Sequence, residues 1–287
     1  MTDWGYLPHL QIFKLPNYTY LCTLMFLRRS YILFTLIVFF ASCNRQYEKV
    51  LKGNDLEAKL KIANEYYAKK KYDKAIPVYE QLLTALKGQK SIDEIYYKYA
   101  NAHYLNHNYE LASFYLRSFY NTYPSSPNAE QAAFDEAMCY LQQSPRFSLE
   151  QSSTQKAIDA FQEFVNRYPK STRMELSNSK IDELRAKLRK KAYENAYLYY
   201  KIGQYYAGAV SLTNFLKDYP EYDNHEKIDY IIVKSLKKYA DGSYKDKQQE
   251  RLRDEIKAYT AFKEKYPQSK FMAELDKMQS VTKKSKK

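Results

Sequence analysis

Apolar residues recur along the chain at the spacing of one helical face. Ala112, Leu116 and Phe119 share such a face and Pro124 ends the run; Ala157, Phe161, Phe164, Tyr168 and Pro169 repeat the pattern, as do Gly208, Leu212, Phe215, Tyr219 and Pro220. Tyr259, Phe262, Tyr266 and Pro267 repeat its second half. Four copies of Phe-x-x-x-Tyr-Pro, spaced 45, 51 and 47 residues apart, mark an array of helical hairpins.

Between these landmarks the pattern sets helix limits. Asn54-x-x-Glu57 reads as a capping box that starts a helix running to about Lys69. Ile62, Ala63 and Tyr66, then Tyr72, Ala75, Tyr79 and Leu82, match a tetratricopeptide repeat, in which small residues let two helices approach and aromatics fill the space beside them. Pro77 is placed in the first turn or so of the second helix, which tolerates it, and Lys87-Gly88-Gln89 is the exit turn. Ser91-x-x-Glu94 caps the next hairpin, where Tyr99, Ala100, Ala112, Leu116, Phe119 and Pro124 occupy the same positions 37 residues later. Ser126-Pro127, a cap followed by proline at the first helical position, opens the third. Its first helix ends near Gln143, and Ser144 to Thr154 interrupts the array before Lys156 begins the partner helix. Such an insert is either a binding loop or tolerated length.

Thr172-x-x-Glu175 caps a long helix to about Ile202, with Ile181, Leu184, Leu188, Ala192, Ala196 and Tyr199 as its inner stripe and Arg185 to Lys191 on the solvent side. Gly203 ends it, and Tyr205 to Lys217 returns as its partner. Asp223-x-x-Glu226 caps the last full hairpin, Asp241-Gly242 turns into a helix from about Lys247 to Lys265, and a short helix from Phe271 to Met278 covers the end. The expected fold is all-α, a tetratricopeptide-repeat solenoid of about five hairpins with a long connecting helix. Three hairpins (54–171) precede the long helix and C-terminal hairpins (172–279), and residues 280–287 form a solvated basic tail.

The N-terminus changes the picture. Arg28-Arg29 precede the apolar run Tyr31 to Phe40, which is too short to span a bilayer and is followed by Ala41-Ser42-Cys43. This describes a signal peptide over residues 1–42, with Met25 as the expected true start and cleavage between Ser42 and Cys43. Phe-Ala-Ser-Cys resembles a bacterial lipobox, so Cys43 is expected to carry a covalent lipid, with residues 43–53 as its tether. No other cofactor is expected. The mature chain then has 43 basic against 32 acidic residues, a net +11, compatible with an anionic membrane surface, an acidic protein or simply solvated helix faces. Export argues against nucleic acid. Cys139 would be the sole thiol of the folded body, so stability must come from packing.

The lipobox, YPSSP at Tyr123 to Pro127, RYPKS at Arg167 to Ser171, and AYENAYLYY at Ala192 to Tyr200 leading to KDYP at Lys217 to Pro220 together resemble the BamD family of outer-membrane lipoproteins. The likeness covers Cys43 to about Met278. It departs in the third-repeat insert, the lysine tail and Glu255, which stands where a small residue is usual. The resemblance implies a non-catalytic scaffold of β-barrel assembly, facing the periplasm from the outer membrane. Its implied partners are the periplasmic domains of the barrel subunit, met by the last two hairpins, and unfolded outer-membrane proteins, met by the first three. The concave face of such an array is lined by the first helix of each hairpin, where aromatic and amide side chains can hold an extended peptide. Those positions are Asn64, Tyr67, Tyr97, Asn101, Tyr104 and Tyr140, the expected client groove. Tyr67, Tyr104 and Tyr140 fall 37 and 36 residues apart, as a ladder would require, and the same residues also suit plain inter-repeat packing.

Candidate chemistry is sparse. His103 and His107 have the i, i+4 spacing of zinc ligands, but no third ligand is identifiable and His107 falls in a turn. Cys139 on an apolar helix reads as a small hydrophobe, and no catalytic or metal site is expected. The competing reading is an envelope lipoprotein that captures glycans or coordinates the cell wall. The single Trp4 lies outside the mature body and no sustained heptad run is present, which favours the scaffold.

Overall fold

The computed structural model describes residues 47–89 and 92–284. Ser42, Cys43, the whole signal segment, the Ser91 cap and the last three residues lie outside them. The described chain is all-α, with no strand among the described residues. After a helical segment at 47–52 come α1 (Leu56–Ala68), α2 (Tyr72–Ala85), α3 (Ile92–Leu105), α4 (Tyr109–Thr122), α5 (Ala129–Gln143), α6 (Ser152–Arg167), α7 (Met174–Lys201), α8 (Tyr205–Asp218), α9 (His225–Asp241), α10 (Lys245–Lys265) and α11 (Met272–Lys284). Helices α1 and α2 pack as a pair, as do α5 and α6, α7 and α8, and α9 and α10, the hairpins of a tetratricopeptide-type array, and α11 is the terminal helix.

The chain divides into two compact units between Asn106 and His107. In the first, α1 packs on α2 and α2 on α3, around Ala63, Ala75, Val78, Tyr79 and Leu82, all fully buried. In the second, each helix from α4 to α10 packs on the next, so Ser171 and Thr172 fall inside one continuous stack and not at a division.

Each Phe-x-x-x-Tyr-Pro copy ends a helix in the same way. The tyrosine N–H still bonds the phenylalanine carbonyl, as in Tyr123 to Phe119 at 2.8 Å and Tyr168 to Phe164 at 2.9 Å. The following proline drives the tyrosine out of helical geometry, to φ −123 at Tyr123 and −132 at Tyr266. Proline then sits second in a turn closed by Ser126 N–H to Tyr123 O (3.0 Å), Ser171 to Tyr168 (3.0 Å) and Ser269 to Tyr266 (3.1 Å). The phenylalanine and tyrosine rings pack 5.0–5.7 Å apart in all four copies. The repeat is thus a helix stop with its own ring contact.

Helix α7 ends in a Schellman motif: Gln204 N–H bonds Tyr199 O, Gly203 N–H bonds Tyr200 O, and Gly203 takes φ +81. Lys70 holds the same place after α1 at φ +58, where a side chain is strained. A second glycine has another role. A Cβ at Gly208 would lie 3.0 Å from Tyr200 N, so α8 crosses α7 backbone to backbone.

Several expected details shift. The cap of α1 is Asp55, whose carboxylate accepts Ala58 N–H at 3.0 Å, and not Asn54. Pro77 lies in the second turn of α2. Pro127 belongs to the turn before α5, because two successive turns follow Tyr123 and delay the helix to Ala129. Ser171, not Thr172, accepts Arg173 N–H ahead of α7, and α9 begins after Asn224 with no side-chain cap from Asp223. Tyr199 is exposed, while Tyr193, Tyr197 and Tyr200 pack against the core around Leu212 and Phe215. Helix α11 continues to Lys284, through the start of the expected tail. The insert is fastened rather than free. Gln151 Nε2 donates to Arg146 O and Leu149 O at 2.9 Å, Lys187 Nζ to Ser144 Oγ at 2.8 Å, and Lys191 to Leu149 O, so the insert covers part of the expected solvent side of α7.

Candidate functional site

In the first unit the side chains of α1 and α3 meet one repeat apart. Tyr67 donates its hydroxyl to Asn101 Oδ1 at 2.6 Å, and Lys98 Nζ donates to Asn64 Oδ1 at 3.0 Å, both across 34 residues. Tyr79 OH, from α2, is a second donor to Asn64 Oδ1 at 2.9 Å. Burial pushes the Tyr79 phenol well above its ordinary pKa, so it stays a donor at any physiological pH. With both lone pairs of its carbonyl taken, Asn64 has its amide N–H2 to present to a peptide. Lys98 also pairs with Glu94 at 2.8 Å.

Asn64 and Tyr67 are half-buried, and rings from α2 pack edge-on to Tyr67, Tyr72 at 5.6 Å and Tyr79 at 6.3 Å. Asn101 is buried, so its bond to Tyr67 positions that ring. Tyr97 and Tyr104 are half-buried on α3. Tyr140 belongs to the second unit, half-buried on α5 with Lys156 Nζ 6.0 Å from its ring centre. Lys98 was missed by residue type alone, though its 34-residue offset from Asn64 equals that of Tyr67 from Asn101.

The second unit holds a different polar cluster. Glu136, 1% exposed on α5, accepts Tyr120 OH at 2.6 Å and pairs with Arg117 Nε at 2.9 Å. Arg117 reaches Glu163 on α6 at 2.8 Å, and Arg167 lies 4.9 Å over the Tyr120 ring. Burial raises the Glu136 pKa while Tyr120 and Arg117 oppose the rise, an arrangement that ties α4, α5 and α6 together. His103 is buried edge-on to Tyr99 at 4.8 Å, and burial lowers its pKa, leaving it neutral. His107 lies outside any helix at φ +60, bonded to Tyr109 OH at 2.8 Å. Cys139 is fully buried and its thiol pKa is pushed up by burial. Among the described residues no three His, Cys, Asp or Glu gather as a metal site, and no helix is long and apolar enough to cross a membrane.

Comparison with known proteins places this architecture. A curated relative, the outer membrane protein assembly factor BamD of Caulobacter vibrioides, is 31% identical over 103 residues, which is 36% of this chain and 34% of the relative. The match thus spans about a third of that relative's length. Among solved structures, a Podosopora anserina kinesin light chain with nearly identical TPR-like repeats and a single-substitution variant of it align with TM-scores of 0.31 and 0.32. Both are 14% identical, covering 75% of this chain and 97% of theirs. At that level the fold assignment stands on the helix pairs themselves. The sequence profile of the YfiO family, described as outer membrane lipoprotein, matches residues 55–209 and 187–285, nearly all of the described body. The chain belongs to the YfiO family of outer membrane lipoproteins.

Proposed function

We propose that the protein is a non-catalytic scaffold of outer-membrane protein assembly, anchored through a lipid on Cys43 and facing the periplasm. In this reading the C-terminal hairpins hold the periplasmic domains of the barrel subunit and the N-terminal helices receive unfolded outer-membrane proteins. The observation that carries it is the family match over residues 55–285, joined to the similarity to an outer membrane protein assembly factor. The first-unit network supports the client part, because Asn64, Tyr67 and Lys98 hold amide and phenol groups in fixed positions on adjacent first helices. Pre-ordered polar groups beside aromatic rings bind extended peptide with little loss of side-chain entropy.

Fluorescence anisotropy of a labelled, urea-diluted outer-membrane protein against the mature chain tests this reading. Tyr97→Ala with Tyr104→Ala should weaken binding about ten-fold, the loss of one good aromatic contact. Unchanged affinity in a folded double variant would remove the groove from the client site.

A further inference from the structure

The second unit has an apolar end that stays exposed among the described residues. Leu198, on the last turn of α7, and Ile202, just after it, are 50% and 60% exposed, and Tyr206, on the first turn of α8, is 52% exposed. Tyr244, leading into α10, is 88% exposed. They share one end of the stack. The Tyr206 and Tyr239 ring centres are 4.9 Å apart, joining the start of α8 to the end of α9, and Arg251 of α10 lies 4.1 Å over Tyr239 and donates to Ser243 Oγ at 2.5 Å.

Cations ring this end. Lys238 Nζ sits 5.3 Å from the Tyr200 ring centre and 5.0 Å from that of Tyr205, and Lys201 lies 4.7 Å from Tyr197. Residues 198–206 and 237–251 together carry six basic and three acidic side chains. Some charge is used internally, Lys201 pairing with Glu194, the buried Lys237 with Asp241 and Lys247 with Glu250, which leaves Lys238, Lys245 and Arg251 against Asp246. Tyrosine and isoleucine tips beside lysine and arginine are the composition of a surface that enters the headgroup layer of a bilayer. A second copy would set these cations against one another, whereas lipid phosphates complement them. A membrane is also present by the nature of the family, whose members are outer membrane lipoproteins.

We infer that the end formed by the α7–α8 and α9–α10 turns is a second membrane contact. Leu198, Ile202, Tyr206 and Tyr244 enter the interface of an anionic phospholipid surface, and the surrounding lysines and Arg251 meet its phosphates. The lipid on the N-terminal tether and this end would then hold the protein at two places, restricting its orientation at the membrane.

The test is co-sedimentation of the full mature chain carrying Cys43→Ser, so that no acyl chain contributes. The vesicles are phosphatidylethanolamine with phosphatidylglycerol, compared with phosphatidylcholine alone. Binding should favour the anionic vesicles and weaken with salt, and Ile202→Asp with Tyr244→Asp should reduce the partition constant about ten-fold or more, with an unchanged melting temperature. Phe114→Asp on α4, also exposed, should leave binding intact and serves as the control. Failure of the parent chain to bind either vesicle, or equal binding by the Ile202 and Tyr244 variant, overturns the proposal. Loss of an envelope protein partner with unchanged vesicle binding assigns the face to that protein and overturns it as well.

Discussion

Replacing Glu255 by glutamine should stabilise the C-terminal hairpin at neutral pH. Glu255 is fully buried on α10, where one oxygen accepts Gln279 Nε2 of α11 and the other meets no hydrogen-bond donor among the described residues. The nearby Lys237 is spent on Asp241. Burial raises the Glu255 pKa, with Gln279 and Lys237 only partly opposing it. A carboxylate whose folded pKa is raised holds its proton more tightly in the native state. Its contribution to stability is therefore complete below the unfolded value near 4.3 and is lost as pH rises through the folded pKa. Glutamine keeps an acceptor for Gln279 and removes the buried charge, which relieves about 1–2 kcal/mol, the penalty of one unsatisfied buried group. Urea unfolding of parent and variant from pH 4 to 8, with hydrogen exchange at α10 and α11, is the assay. The variant should be more stable by that amount at pH 7 and close to the parent near pH 4, and protection in α10 and α11 should rise about ten-fold at neutral pH. A less stable variant at pH 7, or a difference independent of pH, would refute the reasoning.

Other outcomes follow from the same geometry. Lys70→Gly should raise stability by about 0.5–1 kcal/mol in thermal unfolding, because it relieves a left-handed backbone position that a side chain strains. Gly208→Ala should destabilise by about 1–3 kcal/mol despite alanine's better helix propensity, since its methyl would press on the Tyr200 backbone; a stabilised variant would mean α7 and α8 can separate freely. Phe161→Ala, fully buried on α6 with its ring against Phe134 of α5, should cost about 3–5 kcal/mol by denaturant titration. Arg117→Ala should cost about 2 kcal/mol by leaving the Glu136 charge without its cation, and adding Glu136→Gln should recover part of that loss.

Most of the fold was legible because the hydrophobic period and the Tyr-Pro stops are local signals. A proline after a helical tyrosine can do little but end the helix, so the ends of α4, α6, α8 and α10 followed directly from the sequence. Helix starts were less legible. Asn54 and Asp55 both suit a cap, and only the path of the chain selects Asp55; after each Tyr-Pro, successive turns absorb residues that resemble caps. The inner stripe of α7 failed at Tyr199 because the helix changes partner along its length, from α6 to α8, and its last turns aim Tyr193, Ala196, Tyr197 and Tyr200 at the core around Leu212 and Phe215. The candidate groove was legible as residue types on the first helices. Its hydrogen bonds were not, since the pairing of Lys98 with Asn64 depends on how adjacent helices are set.

The central claim is that this lipoprotein works as a scaffold for outer-membrane protein assembly. The direct measurement is an affinity pull-down from gently solubilised envelopes, using a tagged chain that retains Cys43, with identification and quantification of what co-purifies. The account predicts stoichiometric recovery of a large outer-membrane barrel with repeated periplasmic domains. Recovery of glycan-uptake or cell-wall proteins without that barrel would contradict the scaffold reading while leaving the fold intact.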